Sequence, residues 1–317
     1  MSATSQTQEP VSESRRRLIE KLKRELGFEI IHALNDPEVV EVMLNSDGVI
    51  WEDRIGIGMK PIGNMYASDA ESLLTTIASI TGKEVHDQSP ILECHLPLHG
   101  ERFEGLVPPA VENASFAIRK RAGKIFTLDD YVQHGIMTAE QAEDIRDAVE
   151  NRDNILVVGG TGSGKSTLVN GILDYLGRHA AGDQRIVIIE DVPELQCAAP
   201  NKVNLLGSQA ASLNTLLRAT MRLRPDRIVV GEVRDAAALT MLKAWNTGHP
   251  GGVCTVHANS PEAALIRLDQ LCMEAGVPSQ DTLIQEAVDV VIFIRKNEGG
   301  KRLVERIWRP KGSSREY

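Results

Sequence analysis

An apolar run, Ile155–Val158, passes directly into Gly159-Gly160-Thr161-Gly162-Ser163-Gly164-Lys165-Ser166 and then into a helical pattern beginning near Lys165. No other feature restricts the fold as much. The spacing is that of the GxxxxGK[ST] phosphate loop, and a strand before it with a helix after it is the context such a loop needs. Its glycines let the backbone turn so that successive N–H groups and a helix amino terminus converge on an anion. Lys165 is then placed to neutralise the β and γ phosphates of a nucleotide, and Ser166 to offer its hydroxyl to Mg²⁺. The expected cradle runs from Gly159 to Thr167.

A strand, loop and helix of this kind belong to a parallel sheet, and the downstream sequence supplies further strands. Apolar runs at 155–158, 186–189, 227–230 and 253–257 alternate with helical stretches beginning near Lys165, Ser212, Asp235 and Pro261, the alternation of an α/β domain. Thr138 and Gln141 form a capping box that opens a helix through about Glu150. Upstream the pattern differs. Runs at 39–44 and 49–52 flank Asn45-Ser46-Asp47-Gly48 and predict a hairpin closed by an Asp-Gly turn, and three more short strands are expected at 91–96, 102–107 and 115–118. Between them Ser68 and Glu71 read as a capping box for a helix that Gly82 stops. Residues 15–26 place Leu18, Leu22 and Leu26 on one face of a basic amphipathic helix, suited to packing on the neighbouring domain or to weak contact with anionic lipid. The expected organisation is a loose tail over 1–14, an α+β domain with an antiparallel sheet over 15–121, a linker over 122–137, and an α/β domain over 138–317. The charged stretch 120–124, with its glycine, is suited to act as a hinge.

Composition narrows the function. The length of 317 residues suffices for two cores. Thirty-five Lys and Arg against 44 Asp and Glu give a formal charge of −9, and 3 Trp, 4 Tyr and 5 Phe are too few for a base-stacking platform, so no direct specific nucleic-acid binding is expected. Apolar runs fall short of the roughly 18 residues a spanning helix needs, and the first seventeen residues lack a secretory signal's apolar core, which predicts a cytoplasmic protein. Cys94, Cys197, Cys254 and Cys272 are scattered and suit buried, reduced thiols.

A phosphate loop binds nucleotide without by itself hydrolysing it, so a second strand end must deliver a carboxylate. Glu232 follows the strand Arg227–Val230 and Gly231, and is the better candidate to position water or accept its proton. Glu190 and Asp191 end the 186–189 run in the same way. Either set also fits a solvated turn. His249 and His257 are eight residues apart without ligand spacing, so no metal ligation is expected of them. His257, at a strand's carboxyl end, is placed to hydrogen-bond a γ-phosphate or report its loss.

Taken together, GGTGSGKS, IIEDVPEL, RLRPDRIVVGEVRD and NTGHPGGVCTVHANSP appear in the order of the Walker A, Asp, Walker B and His boxes of another group of proteins. The sequence resembles the secretion ATPases that power type II and type IV secretion, pilus assembly and conjugation. The likeness covers about residues 91–295 and is nearest to the conjugative-transfer branch. The chain lacks the tetracysteine zinc module of pilus-extension members, and the wording of its last two boxes favours conjugation over pilus retraction. The resemblance implies a RecA-like P-loop NTPase domain with a smaller α+β amino-terminal domain. It implies Mg²⁺-dependent ATP hydrolysis by a homo-hexameric ring, with nucleotide held between the two domains. It further implies partners among the inner-membrane components of a secretion or conjugation apparatus, and a place on the cytoplasmic face of that membrane. Carried over by residue, it makes Lys165 and Ser166 the phosphate and magnesium residues, Glu232 the catalytic glutamate and His257 the sensor. Glu190 becomes the Asp-box acid, with Asp191 and Glu194 as neighbouring alternatives, and Arg102 and Arg119 become arginines sent to the nucleotide. The alternatives are a pilus-retraction-type motor and a nucleotide-gated scaffold that hydrolyses little.

Overall fold

Gly123 and Lys124 divide the chain into two units in a computed structural model that describes residues 13–54, 57–120, 125–179, 182–208, 210–297 and 300–311. The expected tail lies outside the described residues through position 12, as do residues 121–124 of the expected hinge.

The first unit contains α1 (Glu13–Asn35), β1 (Val39–Leu44), β2 (Val49–Arg54), β3 (Gly58–Asn64), α2 (Ala67–Thr81), β4 (Ile91–His95), β5 (Arg102–Leu106) and β6 (Ser115–Arg119). Its strands form one antiparallel sheet in the order β3-β2-β1-β6-β5-β4, as the sequence led us to expect. Alternation does the sorting: Val42, Ile118, Phe103 and Cys94 are successive cross-strand partners and all are buried. They pack with Leu22, Leu26 and Ile30 of α1 and Leu73, Leu74 and Ile77 of α2. The apolar stripe of the basic helix is thus largely spent on this core. Helix α1 runs nine residues beyond the predicted segment, but Gly27, at φ 77°, interrupts it. Gly48 turns the first hairpin at φ 82° and Gly82 ends α2 at φ 68°. The capping box expected of Ser68 and Glu71 is not formed, because α2 begins two residues earlier, with Tyr66 at the N-cap and no side-chain cap.

The second unit contains α3 (Leu128–Gln133), α4 (Ala139–Glu150), β7 (Ile155–Val158), α5 (Lys165–His179), β8 (Ile186–Glu190), β9 (Lys202–Leu206), α6 (Leu213–Thr220), β10 (Arg227–Val230), α7 (Ala237–Asn246), β11 (Val253–Val256), α8 (Pro261–Met273), α9 (Asp281–Ala287), β12 (Val290–Lys296) and β13 (Arg302–Trp308). Seven strands are ordered β13-β12-β7-β11-β10-β8-β9, parallel except for β13. Strands β7, β10 and β11 are buried along their whole length, as a sheet covered on both faces requires. Ile155 and Val157 face a core shared with α3, α4 and α5, while Leu156 and Val158 face one shared with α6, α7, α8 and α9. The Thr138–Gln141 capping box forms as predicted. Residues 125–137, read as linker from sequence, carry α3 and bury Leu128 and Tyr131 in the core of this unit. All four cysteines are buried free thiols. Among the described residues no helix is long and apolar enough to cross a membrane.

Candidate active site

The phosphate loop sits at the carboxyl end of the central strand β7 and enters α5 at Lys165. Gly162 and Gly164 take φ values of 67° and 100°, a region that L side chains rarely enter. Gly159 is constrained by neighbours instead: a Cβ there would lie 2.1 Å from the carbonyl oxygen of Ile294 on β12. Lys165 is buried, and its Nζ donates to the carbonyls of Gly159 and Gly160, both at 2.9 Å. Ser163 Oγ is buried without a hydrogen-bond partner among the described residues. Left-handed glycines, a helix amino terminus, a cation folded over the loop and an unmatched buried hydroxyl together fit a polyphosphate, and Ser166, next on the helix, carries the hydroxyl that fits Mg²⁺.

Strand β10 brings the second element. Its end turns at Gly231 and Glu232, and the turn is fixed to β11, where Thr255 Oγ1 donates to the Gly231 carbonyl at 2.7 Å and the Val233 N–H reaches the Thr255 carbonyl at 3.3 Å. Glu232 and His257 thereby meet. His257 Nδ1 lies 3.1 Å from Lys165 Nζ, and its Nε2 lies 3.0 Å from Glu232 Oε1, off the direction of a well-aligned hydrogen bond. The lysine ammonium can only donate, so Nδ1 is the acceptor and the ring proton resides on Nε2, facing the carboxylate. On the other side Arg234 Nη2 donates to Glu232 Oε2 at 2.7 Å. Lys165, His257, Glu232 and Arg234 therefore form one continuous chain from the phosphate loop to the end of β10.

The acids after β8 divide their work. Glu190 is buried, and its Oε1 accepts the N–H groups of Glu194 and Leu195, both at 2.8 Å, which ties down the following turn. Its side chain also packs over Gly231, where a Cβ would come within 3.1 Å of Glu190 Cγ. Burial pushes the Asp191 carboxyl above its ordinary value, with Arg234 opposing and Asp235 and Glu232 reinforcing the shift. His249 is spent on the fold, with Nδ1 2.9 Å from the Pro225 carbonyl. No cluster of His, Cys, Asp and Glu suited to a metal ion occurs among the described residues. Arg102 and Arg119 lie in the first unit as direct cross-strand partners on β5 and β6.

Two residues beside the loop were not singled out from the sequence. Strand β12 pairs with β7 from Val290 opposite Ile155 as far as Phe293 opposite Val158, then continues along the phosphate loop. Its last residue, Lys296, is paired across the hairpin with Arg302 of β13. A Cβ on Gly162 would lie 3.8 Å from Lys296 Nζ, and one on Gly164 would lie 3.1 Å from Arg302 Cδ and 3.3 Å from its Nε. The apolar run VVIFI ahead of Arg295 and Lys296, with the Gly299-Gly300 pair after it, is the sequence signal for such a hairpin.

A family model described as "Type II/IV secretion system protein" matches residues 77–315. "Probable conjugal transfer protein TrbB" of Sinorhizobium fredii (strain NBRC 101917 / NGR234) is 50% identical over 287 residues, covering 90% of this chain and 88% of the relative. Among solved structures, the ATPase DotB of Legionella pneumophila superposes with a TM-score of 0.63 at 18% identity, over 94% of this chain and 81% of that one. The pilus retraction motor PilT with bound ADP gives 0.64 at 22% identity, over 90% and 83%. These two likenesses speak to the fold, a RecA-like P-loop domain with a smaller α+β unit before it.

Proposed function

The chain belongs to the type II/IV secretion system protein family, and from that premise we propose that it is an Mg²⁺-dependent ATPase motor, a homo-hexameric ring that energises a type IV secretion or conjugative transfer apparatus. The observation that carries the reading is the contact chain from Lys165 through His257 to Glu232, which joins a phosphate-binding cation to a carboxylate across two neighbouring strands. In the proposed reaction Lys165 turns from the loop carbonyls to the β and γ phosphates, and the amides of the loop and of α5 orient the chain. Glu232 orients the attacking water and takes its proton, and His257, losing its contact with Lys165, registers whether phosphate is present. Ser166 would hold Mg²⁺, which when bound draws charge from the β and γ oxygens. Glu190 supports this geometry by fixing the 190–195 turn and packing on Gly231, and Arg102 and Arg119 enter the proposal on the family resemblance alone. Inner-membrane components of the apparatus are the proposed partners, and the cytoplasmic face of that membrane the proposed location.

Two substitutions test the reading. Glu232→Gln is expected to keep ATP binding while phosphate release falls roughly 100-fold or more, and Lys165→Ala to lose both. Transfer activity that survives Glu232→Gln would favour the nucleotide-gated scaffold, which works in the bound state. The 50% identity to a conjugal transfer protein, against 22% to a retraction motor, favours conjugation over retraction.

A further inference from the structure

Resting on the nucleotide reading of the phosphate loop, we infer that Arg302, at the end of the β12–β13 hairpin, is a second cationic arm of that site and binds the nucleotide's phosphate chain from the hairpin side. Three observations carry this. First, β12 outruns β7 by three residues, and the Ile294 carbonyl packs so closely on Gly159 that the hairpin forms a side wall of the loop. Second, Lys296 and Arg302 are direct cross-strand partners at its end, next to Gly162 and Gly164.

Third, the other arginines along this hairpin have acids, and among the described residues Arg302 does not. Arg295 pairs with Glu305, Arg306 with Glu262, and Arg309, just past β13, with Asp144 and Asp153. Arg302 has no ion pair among the described residues, although the chain carries nine more acids than bases. Arg302 is half-buried, with its Cδ and Nε beside Gly164 of the loop. A planar fork of donors in that position is suited to phosphate oxygens.

The test compares equilibrium binding of ATP and of inorganic tripolyphosphate to the full chain and to Arg302→Gln, by calorimetry, with Arg302→Lys and Lys165→Ala alongside. A phosphate contact predicts that Arg302→Gln weakens both ligands by about tenfold, that Arg302→Lys restores part of the loss, and that the loss shrinks as salt rises. Unchanged affinity in Arg302→Gln overturns the inference. So does a loss confined to ATP, which would place the side chain on the base or ribose, and so does an equal loss in Gln and Lys variants with lowered thermal stability, which marks a buttress. If Lys165→Ala also binds both ligands as wild type, the nucleotide reading itself fails and this inference falls with it.

Discussion

A single carboxyl shows how charge is used in the first unit. Asp36 follows α1, and its carboxyl is held below its ordinary value of 3.8, first by the N–H of Glu38 that it accepts and then by Arg54. The folded value lies below the unfolded one, so the stabilisation is complete above about pH 3.8 and is lost as pH falls through the lowered value. Asp36→Asn is therefore expected to lower the urea midpoint at pH 7, with the gap to wild type closing below pH 3.8; a gap that stays constant would remove the carboxylate from the account. Lys120 works beside it, donating to the Ala33 and Asp36 carbonyls at the end of α1, where a cation complements the helix dipole.

Helix ends and strand lengths separate what the sequence made legible from what it did not. Thr138 reads as a cap because Gln141 follows at the right spacing, and both reciprocal bonds form, with Thr138 Oγ1 accepting from the Gln141 N–H at 3.1 Å and Gln141 Oε1 from the Thr138 N–H at 2.9 Å. Thr138→Ala is expected to cost about 1 kcal/mol, seen as a lower thermal midpoint; no shift would mean that packing alone holds α4. Ser68 and Glu71 have the same spacing and make no box, since pattern cannot say which of several adjacent residues the tertiary contacts will draw into a helix. Strands β7, β8, β10 and β11 stood out because burial on both faces makes them uniformly apolar and a turn or helix signal follows each. Strands β12 and β13 were missed, and so was β9, an edge strand with Lys202, Asn204 and Leu206 exposed in alternation. Within the site, Lys165, Glu232 and His257 were legible because each lies in a recognisable motif at a strand's end. Arg234 and Arg302 were not, because what marks them is proximity: one touches the Glu232 carboxylate, and the other lies 138 residues along the chain from the glycine it covers.

At the scale of the molecule, the two units bury separate cores built in different ways. The first rests two helices on an antiparallel sheet, and the second wraps helices around both faces of a nearly parallel one. The proposed ring makes a direct prediction: light scattering in Mg²⁺ and ATP should give about six times the 34.7 kDa chain mass. A monomer that hydrolyses ATP at full rate would exclude the ring as a requirement for catalysis. The α1 face bears on the lipid question too. With Leu22, Leu26 and Ile30 in the core, any contact with anionic lipid would fall to the exposed basic side of the helix.

In the proposed reaction the pairing of Lys165 with His257 also bears on how nucleotide would leave. A phosphate that gains this lysine must take it from an imidazole and two carbonyls, so its affinity is a difference between two sets of bonds. The same groups are ready to reclaim the lysine afterwards. A phosphate loop with such an internal competitor holds its product less tightly than its donors alone would allow, and that favours repeated turnover over a single tight binding event.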